Sequence, residues 1–186
     1  MPFIKTDFPG LLVFEPKVFE DSRGYFFESY NDNVCRAEGI NINFVQDNQA
    51  KSSYGVVRGL HYQLDPYAQT KFIRVLSGAI LDVVVDLRKG SPSYGKVFSI
   101  ELNADNKLQL LIPKGFAHGY SVISETAEVF YKCDAFWNKE AEGGIFIKDP
   151  SLGIDWKIPE NKMIISDKDL LYPGINECVN NFEFQS

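Results

Sequence analysis

Three observations predict an all-β fold for this chain. Aromatic residues make up 14% of it, with 15 Phe and 9 Tyr, and aromatic rings pack well on the pleated faces of sheets. Short apolar or alternating runs recur with turn-forming residues between them, as in a sandwich or barrel. No tandem repeat or long linker separates the runs, so we expect a single domain over residues 1–186. The runs are 11–18, 25–28, 44–46, 56–63, 72–76, 80–87, 97–102, 109–112, 119–123 and 127–136.

One pair of neighbouring runs has a turn signal of its own. Residues 72–76 and 80–87 are separated by a short segment that contains Ser77 and Gly78. Glycine is frequent in tight hairpin turns. We therefore expect residues 71–87 to form two strands joined by a hairpin turn.

Helical structure is expected only in short pieces. Asn31 or Asp32 is able to cap a helix near the N-terminus, and Gly39 would end it. The tail from Asp149 onward is rich in Pro, Gly and Asp, which predicts short turns and helices packed on the outside of the β structure.

The bulk composition argues against several classes of partner. The net charge of −6 argues against nucleic-acid binding, although it is compatible with a local cationic pocket for an anionic small molecule. Cys35, Cys133 and Cys178 are widely and irregularly spaced, which indicates reduced thiols in a cytoplasmic protein. No signal peptide or membrane span is visible, so we expect no membrane association.

The two histidines are the most informative residues of the chain. His61 follows Arg58 in a strand-like segment, and Lys71 stands ten residues further on. Imidazole titrates near neutral pH, so a histidine beside cations indicates a proton-transfer site next to an anion.

The spacing around both histidines resembles the two motifs of the cupin superfamily, a double-sheet jelly roll. Gly55 precedes His61, and residues 113–118 read PKGFAH. Metal-binding cupins supply a second histidine and then a glutamate in the first motif, whereas here Gln63 replaces that histidine and the glutamate does not follow. Metals held by imidazoles usually need two or more of them together with a carboxylate. We expect no metal and no organic cofactor.

Further motifs follow in a characteristic order. They are 21–29 (DSRGYFFES), 46–48 (QDN), 55–63 (GVVRGLHYQ), 82–88 (DVVVDLR), 113–119 (PKGFAHG) and 166–169 (SDKD). Together they resemble the dTDP-4-dehydrorhamnose 3,5-epimerases, the metal-free cupins of the rhamnose pathway. The resemblance spans Phe14 to about Tyr172.

This resemblance implies a fold and a reaction. The fold would be a cupin-type double-stranded β-helix, or jelly roll, with a short N-terminal helix and short C-terminal helices, forming one epimerase domain over residues 1–186. The reaction would convert dTDP-4-dehydro-6-deoxy-D-glucose to dTDP-4-dehydro-L-rhamnose by inversion at C3 and C5. Both carbons adjoin the C4 carbonyl, so a side-chain base is able to remove their protons, and inversion needs an acid on the other face.

The resemblance also implies the catalytic roles. His61 would be the base, with Asp169 holding its other nitrogen and Asp167 as the alternative orienting carboxylate. Lys71 would stabilise the enolate on O4, and Tyr131 would return a proton to the opposite face.

A neighbouring cation would lower the pKa of Tyr131. Lys132 is next in sequence but points to the other face of the strand. We therefore expect Lys71 to be that cation.

Further positions match residues that bind the nucleotide in the family. Arginines suit a diphosphate because they bind its oxygens in pairs, and an aromatic ring stacks on a base. A tryptophan stands where the family commonly has a tyrosine against the thymine ring. The diphosphate candidates are Arg23, Arg58 and Lys168, and the pocket candidates are Phe26, Glu28, Gln46, Asn48, His118, Trp137 and Glu142.

The family builds its sites partly from a neighbouring subunit, which implies a homodimer. The aromatic segment around Phe19 and Phe26 is the candidate for the exchanged arm. Three other functions stay open: an epimerase of C3 or C5 alone, a non-catalytic nucleotide-sugar-binding cupin, and a metal-dependent cupin. A histidine that merely satisfies core hydrogen bonds remains an alternative for His118, and Lys71 and Lys168 could be solvated surface charges.

Overall fold

The computed structural model describes residues 2–185 and is built mainly of β-strands, which confirms the all-β prediction. Apart from two short α-helices and two single 3-10 turns, the regular elements of this part of the chain are strands. The strands are β1 Phe3–Lys5, β2 Leu12–Phe14, β3 Phe19–Asp21, β4 Gly24–Phe26, β5 Gln46–Ser53, β6 Val57–Gln63, β7 Lys71–Ser77, β8 Ala79–Asp86, β9 Val97–Asn103, β10 Gln109–Ile112, β11 Phe116–Val122, β12 Thr126–Cys133 and β13 Glu142–Gly144.

Two antiparallel sheets form a sandwich with jelly-roll connectivity. The six-stranded sheet has the order β1-β2-β10-β7-β12-β5, and the five-stranded sheet has the order β13-β6-β11-β8-β9. The chain passes repeatedly from one sheet to the other, as from β7 to β8 and from β11 to β12, which is the cupin arrangement. A separate hairpin of β3 and β4 pairs with neither sheet.

The prediction of a hairpin at Ser77-Gly78 is wrong, because the two predicted strands, β7 and β8, exist but do not pair with each other. β7 pairs with β10 and β12, whereas β8 pairs with β11 and β9, so the chain crosses between the sheets here. Gly78 has φ of +74°, and a Cβ there would lie 1.9 Å from the Thr126 carbonyl oxygen. Glycine therefore serves a tight crossover between sheets, which a local turn signal cannot distinguish from a hairpin.

The central strands β8 and β11 of the five-stranded sheet are buried on both faces. The inner face of this sheet packs on the six-stranded sheet around Ile73, Val84 and Leu110, all fully buried. Its outer face is covered by the C-terminal tail, whose Trp156 and Phe182 are buried against it. This explains why β8 reads as an almost continuous apolar run.

The helices occur where they were predicted. α1 Asp32–Ala37 begins after Asn31, whose side-chain oxygen accepts hydrogen bonds from the first-turn backbone. α2 Asp167–Leu170 lies in the C-terminal tail and is capped by Ser166. Within residues 2–185, neither helix is long and apolar enough to cross a membrane.

Candidate active site

A cleft opens between the two sheets, away from the shared core. It consists of two adjoining cavities of about 490 Å³ and about 410 Å³ that have His61, Lys71 and Tyr131 in common. Cavities of this size suit a small-molecule ligand. His61 lies on β6 of the five-stranded sheet, whereas Lys71 and Tyr131 lie on β7 and β12 of the six-stranded sheet.

His61 is oriented by a buried carboxylate, as was predicted. Its Nε2 lies 2.7 Å from Asp169 Oδ1, and Asp169 is only 3% exposed. Burial alone would raise the pKa of Asp169. This effect is outweighed by the hydrogen bond from His61, by the charge of His61 and by the hydrogen bond from the Gly59 N–H, so the pKa of Asp169 lies below its ordinary value. An ionised Asp169 accepts the Nε2 proton and leaves Nδ1 as the basic nitrogen. Asp167 is exposed on α2 and does not replace it.

Two glycines let β6 and β11 approach closely beside this pair. A Cβ on Gly59 would lie 2.5 Å from the Cα of Gly119, and a Cβ on Gly119 would lie 2.5 Å from the Arg58 carbonyl oxygen. Gly59 also has φ of +126°, which L side chains rarely adopt. The close approach places the Gly59 N–H 3.4 Å from Asp169 Oδ2, so the backbone helps to hold the carboxylate.

A second histidine–carboxylate pair lies directly across the strands from the first. His118 is the register partner of His61, and its Nε2 lies 2.9 Å from Oδ2 of Asp82. Asp82 is fully buried, and its Oδ1 has no hydrogen-bond partner in residues 2–185. Sequence analysis missed the role of Asp82, although the strand register offers a signal, since His118 pairs with Val84 two residues away from it.

Tyr131 and Lys71 face the cleft from the opposite wall. Tyr131 pairs with Ile73, and Lys71 is two residues away, so both point to the inner face. Lys132 points outward to Asp47, as predicted. Lys71 is half-buried at the cleft wall, and its removal from water lowers the pKa of its ammonium group.

The expected lowering of the Tyr131 pKa by Lys71 is wrong. Burial raises the pKa of Tyr131 to about 12, and the cation that opposes this increase is Arg58. The expectation failed because sequence gives the neighbours of a side chain but not how completely water is excluded from it. Tyr131 therefore keeps its proton at neutral pH and is available as an acid.

One end of the cleft is polar and suited to a nucleoside. Gln46 and Asn48 are two residues apart on β5, so both side chains point to its inner face. Together with Trp137 and Glu142 they line the smaller cavity. The Trp137 backbone N–H donates to Gln46 Oε1 at 3.1 Å, and the indole is 58% exposed. The predicted aromatic stacking surface is thus open to a ligand.

Gln63 supports this end of the cleft from behind. Its side-chain nitrogen donates to the carbonyl oxygens of Tyr67 and Phe136, and its side-chain oxygen accepts from the Asn138 N–H at 2.6 Å. The residue that replaces the cupin histidine is fully engaged in holding the loop that carries Trp137. Within residues 2–185 no group of three or more His, Cys, Asp or Glu side chains is arranged to hold a metal ion, so these residues do not fit a metal centre.

Cations line the rest of the cleft. The Arg58 guanidinium contacts Ser52 Oγ at 3.2 Å, and it has no carboxylate partner among residues 2–185. Lys168 donates to Glu142 Oε1 at 2.6 Å. Both cations are among the residues predicted to bind the diphosphate.

Three predicted residues lie outside the cleft of their own chain. Arg23, Phe26 and Glu28 belong to the β3–β4 hairpin and the segment after it. Arg23 pairs with Asp21 at 2.5 Å, and Phe26 is 66% exposed. A single chain therefore brings together the other predicted site residues but not these three.

A jelly roll with a carboxylate-paired histidine on one sheet and a tyrosine and a lysine on the other suits an acid–base isomerase. The family model of dTDP-4-dehydrorhamnose 3,5-epimerase matches residues 5–177. The chain belongs to this family, and it is a 3,5-epimerase by activity. The curated relative from Shigella flexneri, a dTDP-4-dehydrorhamnose 3,5-epimerase, is 52% identical over 171 residues, which cover 91% of this chain and 93% of the relative.

Solved structures agree with this assignment. The dTDP-4-dehydrorhamnose 3,5-epimerase of Elizabethkingia anophelis NUHP1 is 51% identical, with a TM-score of 0.90 over 94% of this chain and 96% of that one. The dTDP-6-deoxy-D-glucose-3,5-epimerase of Legionella pneumophila Philadelphia 1, solved in complex with dTDP-4-keto-L-rhamnose, is 39% identical. Its TM-score is 0.92 over 99% of this chain and 98% of that one. The comparisons favour an enzyme over the non-catalytic interpretation.

Proposed function

We propose that the chain converts dTDP-4-dehydro-6-deoxy-D-glucose to dTDP-4-dehydro-L-rhamnose, with its base and its acid on opposite walls of one cleft. The observation that carries this proposal is the division of the site between the sheets. His61 projects from the five-stranded sheet, and Tyr131 projects from the six-stranded sheet. A sugar ring held between them presents one face to the base and the other to the acid, as inversion requires.

The proton transfers follow from this arrangement. His61 Nδ1 removes the proton from the carbon next to the ketone, and the C–H electron pair moves to O4 as an enolate. Asp169 stabilises the imidazolium that forms, and the Lys71 ammonium stabilises the enolate oxygen. The Tyr131 hydroxyl then protonates the same carbon from the other side. Exchange with solvent restores Tyr131 and His61 before the second centre reacts.

The remaining cleft residues suit the nucleotide. Arg58 and Lys168 would bind the diphosphate oxygens. Gln46 and Asn48 would hydrogen-bond the thymine and Trp137 would stack on it, while Glu142 borders the same cavity and His118 faces the sugar. For Lys168 to bind phosphate, its ion pair with Glu142 must open.

We further propose that the β3–β4 hairpin reaches into the cleft of a second copy of the chain. An isolated two-stranded hairpin is marginally stable, and exposed apolar side chains mark interaction surfaces. This hairpin exposes 53% of Phe19 and 66% of Phe26. In a homodimer it would supply Arg23 to the diphosphate and Phe26 and Glu28 to the nucleoside pocket.

Mixing two inactive variants tests the exchange of arms. H61A has an inactive cleft and an intact arm, whereas R23A has an intact cleft and an impaired arm. If arms act between subunits, a hybrid dimer contains one complete site and the mixture regains activity above either variant alone. An absence of rescue after subunit exchange, or a monomer in light scattering, would contradict this arrangement.

The reaction itself is tested by proton exchange in deuterated water. Incubation with the dTDP-4-keto-6-deoxy sugar should place deuterium at both C3 and C5 of the product, observed by NMR. Label at one carbon alone would indicate a mono-epimerase. We place the enzyme in the cytoplasm as a single domain, and its three free cysteines support a reducing compartment.

A further inference from the structure

Tyr172 contacts the catalytic imidazole but belongs to none of the motifs or roles described above. Its ring lies 5.7 Å from the His61 ring, centroid to centroid, at an interplanar angle of 63°. The contact is therefore edge-on, a favourable geometry for aromatic rings. We propose that Tyr172 is a positioning residue that holds the His61 ring in its reactive orientation.

One hydrogen bond does not fix an imidazole. The Asp169 carboxylate anchors Nε2 at 2.7 Å, but the ring remains free to pivot about this anchor where its sides are open. The His61 side chain is 32% exposed to the cleft. A rigid aromatic surface on the protein side would limit this motion, and small displacements of a reacting group are costly to the rate.

The space for Tyr172 is created by a glycine opposite His61. Gly144 is the register partner of His61 in the pairing of β13 with β6. A Cβ on Gly144 would lie 2.5 Å from Cε2 and 2.6 Å from Cδ2 of the Tyr172 ring. Gly144 does not have a positive φ, so the backbone conformation does not require glycine. The ring of Tyr172 occupies the place that a cross-strand side chain would otherwise fill.

The same short segment supplies both supports of His61. Asp169 lies on α2, and Tyr172 follows the end of that helix by two residues. The Lys168 ammonium, from the same segment, lies 5.9 Å from the Tyr172 ring centroid. Burial raises the pKa of Tyr172, so its phenol stays neutral beside the imidazole. The hydrogen-bonding support and the packing support of His61 therefore come from one segment of the chain.

Substitutions separate packing from other roles. Y172L removes the ring and should lower kcat about 10- to 100-fold with little change in KM, whereas Y172F keeps the ring and should restore kcat to within about threefold of wild type. G144A should displace the ring and resemble Y172L. The double variant G144A/Y172L should lose little beyond Y172L, because the ring is already absent. Y94L, which alters an exposed tyrosine, should be unchanged.

The second readout needs no substrate. Because the chain has two histidines, their imidazole ¹⁵N signals can be resolved, and His118 is an internal reference. Y172L should shift the His61 signals and alter its tautomer ratio, while His118 stays unchanged. In a separate measurement with substrate, Y172L should also alter the basic group in the kcat/KM pH profile. Y172F should match wild type.

Several results would overturn the proposal. They are unchanged His61 signals and kcat in Y172L, a loss in Y172F as large as in Y172L, or a rise in KM alone. The proposal rests on the proposed role of His61 as the base. If wild type fails to exchange protons of the dTDP-4-keto sugar while Y172L still perturbs His61, the function is wrong and the packing role stands.

Discussion

Replacement of Asp169 by Asn is the sharpest test of how the base is held. The substitution keeps the shape of the side chain but removes the charge that faces His61 Nε2 at 2.7 Å. A hydrogen bond to a charged group contributes about 1.5–3 kcal/mol. The attraction between unit charges about 4 Å apart is about 4 kcal/mol at an effective dielectric constant of about 20. The two estimates describe the same contact and cannot be added.

We therefore expect D169N to lose about 3 kcal/mol of transition-state stabilisation, or about 150-fold in kcat. KM should change by less than about threefold, since Asp169 faces His61 and not the nucleotide. The assay is the rate of deuterium incorporation at C3 and C5, followed by NMR under saturating substrate. Unfolding by urea would show that the variant is folded under assay conditions.

D167N is the matched control for this experiment. Asp167 lies two residues away on the same helix and is exposed, so its replacement should leave kcat within about twofold of wild type. A loss of kcat in D167N as large as in D169N would contradict this role of Asp169. A kcat of D169N within about threefold of wild type would contradict it as well.

Four other outcomes are expected. K71M should lower kcat about 10²- to 10³-fold. Because burial lowers the pKa of Lys71, the kcat of wild type should decline below the ordinary lysine pKa of 10.5, and this decline should be absent in K71M; an unchanged alkaline limb would refute this. Y131F should retain deuterium exchange while net inversion falls about 10²- to 10⁴-fold, and equal losses of both would argue against Tyr131 as the acid. G59A should destabilise the protein by about 3 kcal/mol, whereas G39A should cost about 1 kcal/mol, because Gly39 also has a positive φ but has open surroundings. Equal losses of unfolding free energy in urea would contradict the close approach of β6 and β11 at Gly59. The folded-state pKa of Asp169 lies below its ordinary value of 3.8, so its charge stabilises the fold above pH 3.8 and this stabilisation is lost as the pH falls through the folded-state pKa. The unfolding free energies of wild type and D169N should therefore converge in acid, and a difference that is constant with pH would contradict this.

Much of the fold was predictable because apolar runs report strands that are buried. β8 is buried along nearly its whole length, and its sequence is correspondingly rich in apolar residues. β5 was largely missed because its sequence, QDNQAKSS, has almost no apolar residues. Its inward side chains face a ligand cleft instead of a core, so hydrophobic periodicity is absent where function requires polarity.

The site was predictable to the extent that its residues stand in local motifs. His61 and Asp169 are distant in sequence, yet the resemblance placed them together, and the structure confirms the contact. Asp82 and Tyr172 were missed because their roles arise from strand register and from the space above Gly144. Tertiary packing of this kind leaves no mark on local sequence.

The placement of the two proton-handling groups on separate sheets has an evolutionary consequence. β6, which carries His61, and β12, which carries Tyr131, are not paired with each other. Mutations that reorient or remove one of these side chains therefore need not disturb the backbone that carries the other. Descendants of such a scaffold are free to lose reactivity toward one stereocentre while retaining it toward its neighbour. A single ancestral barrel is thereby able to generate sugars of different handedness through changes confined to one wall.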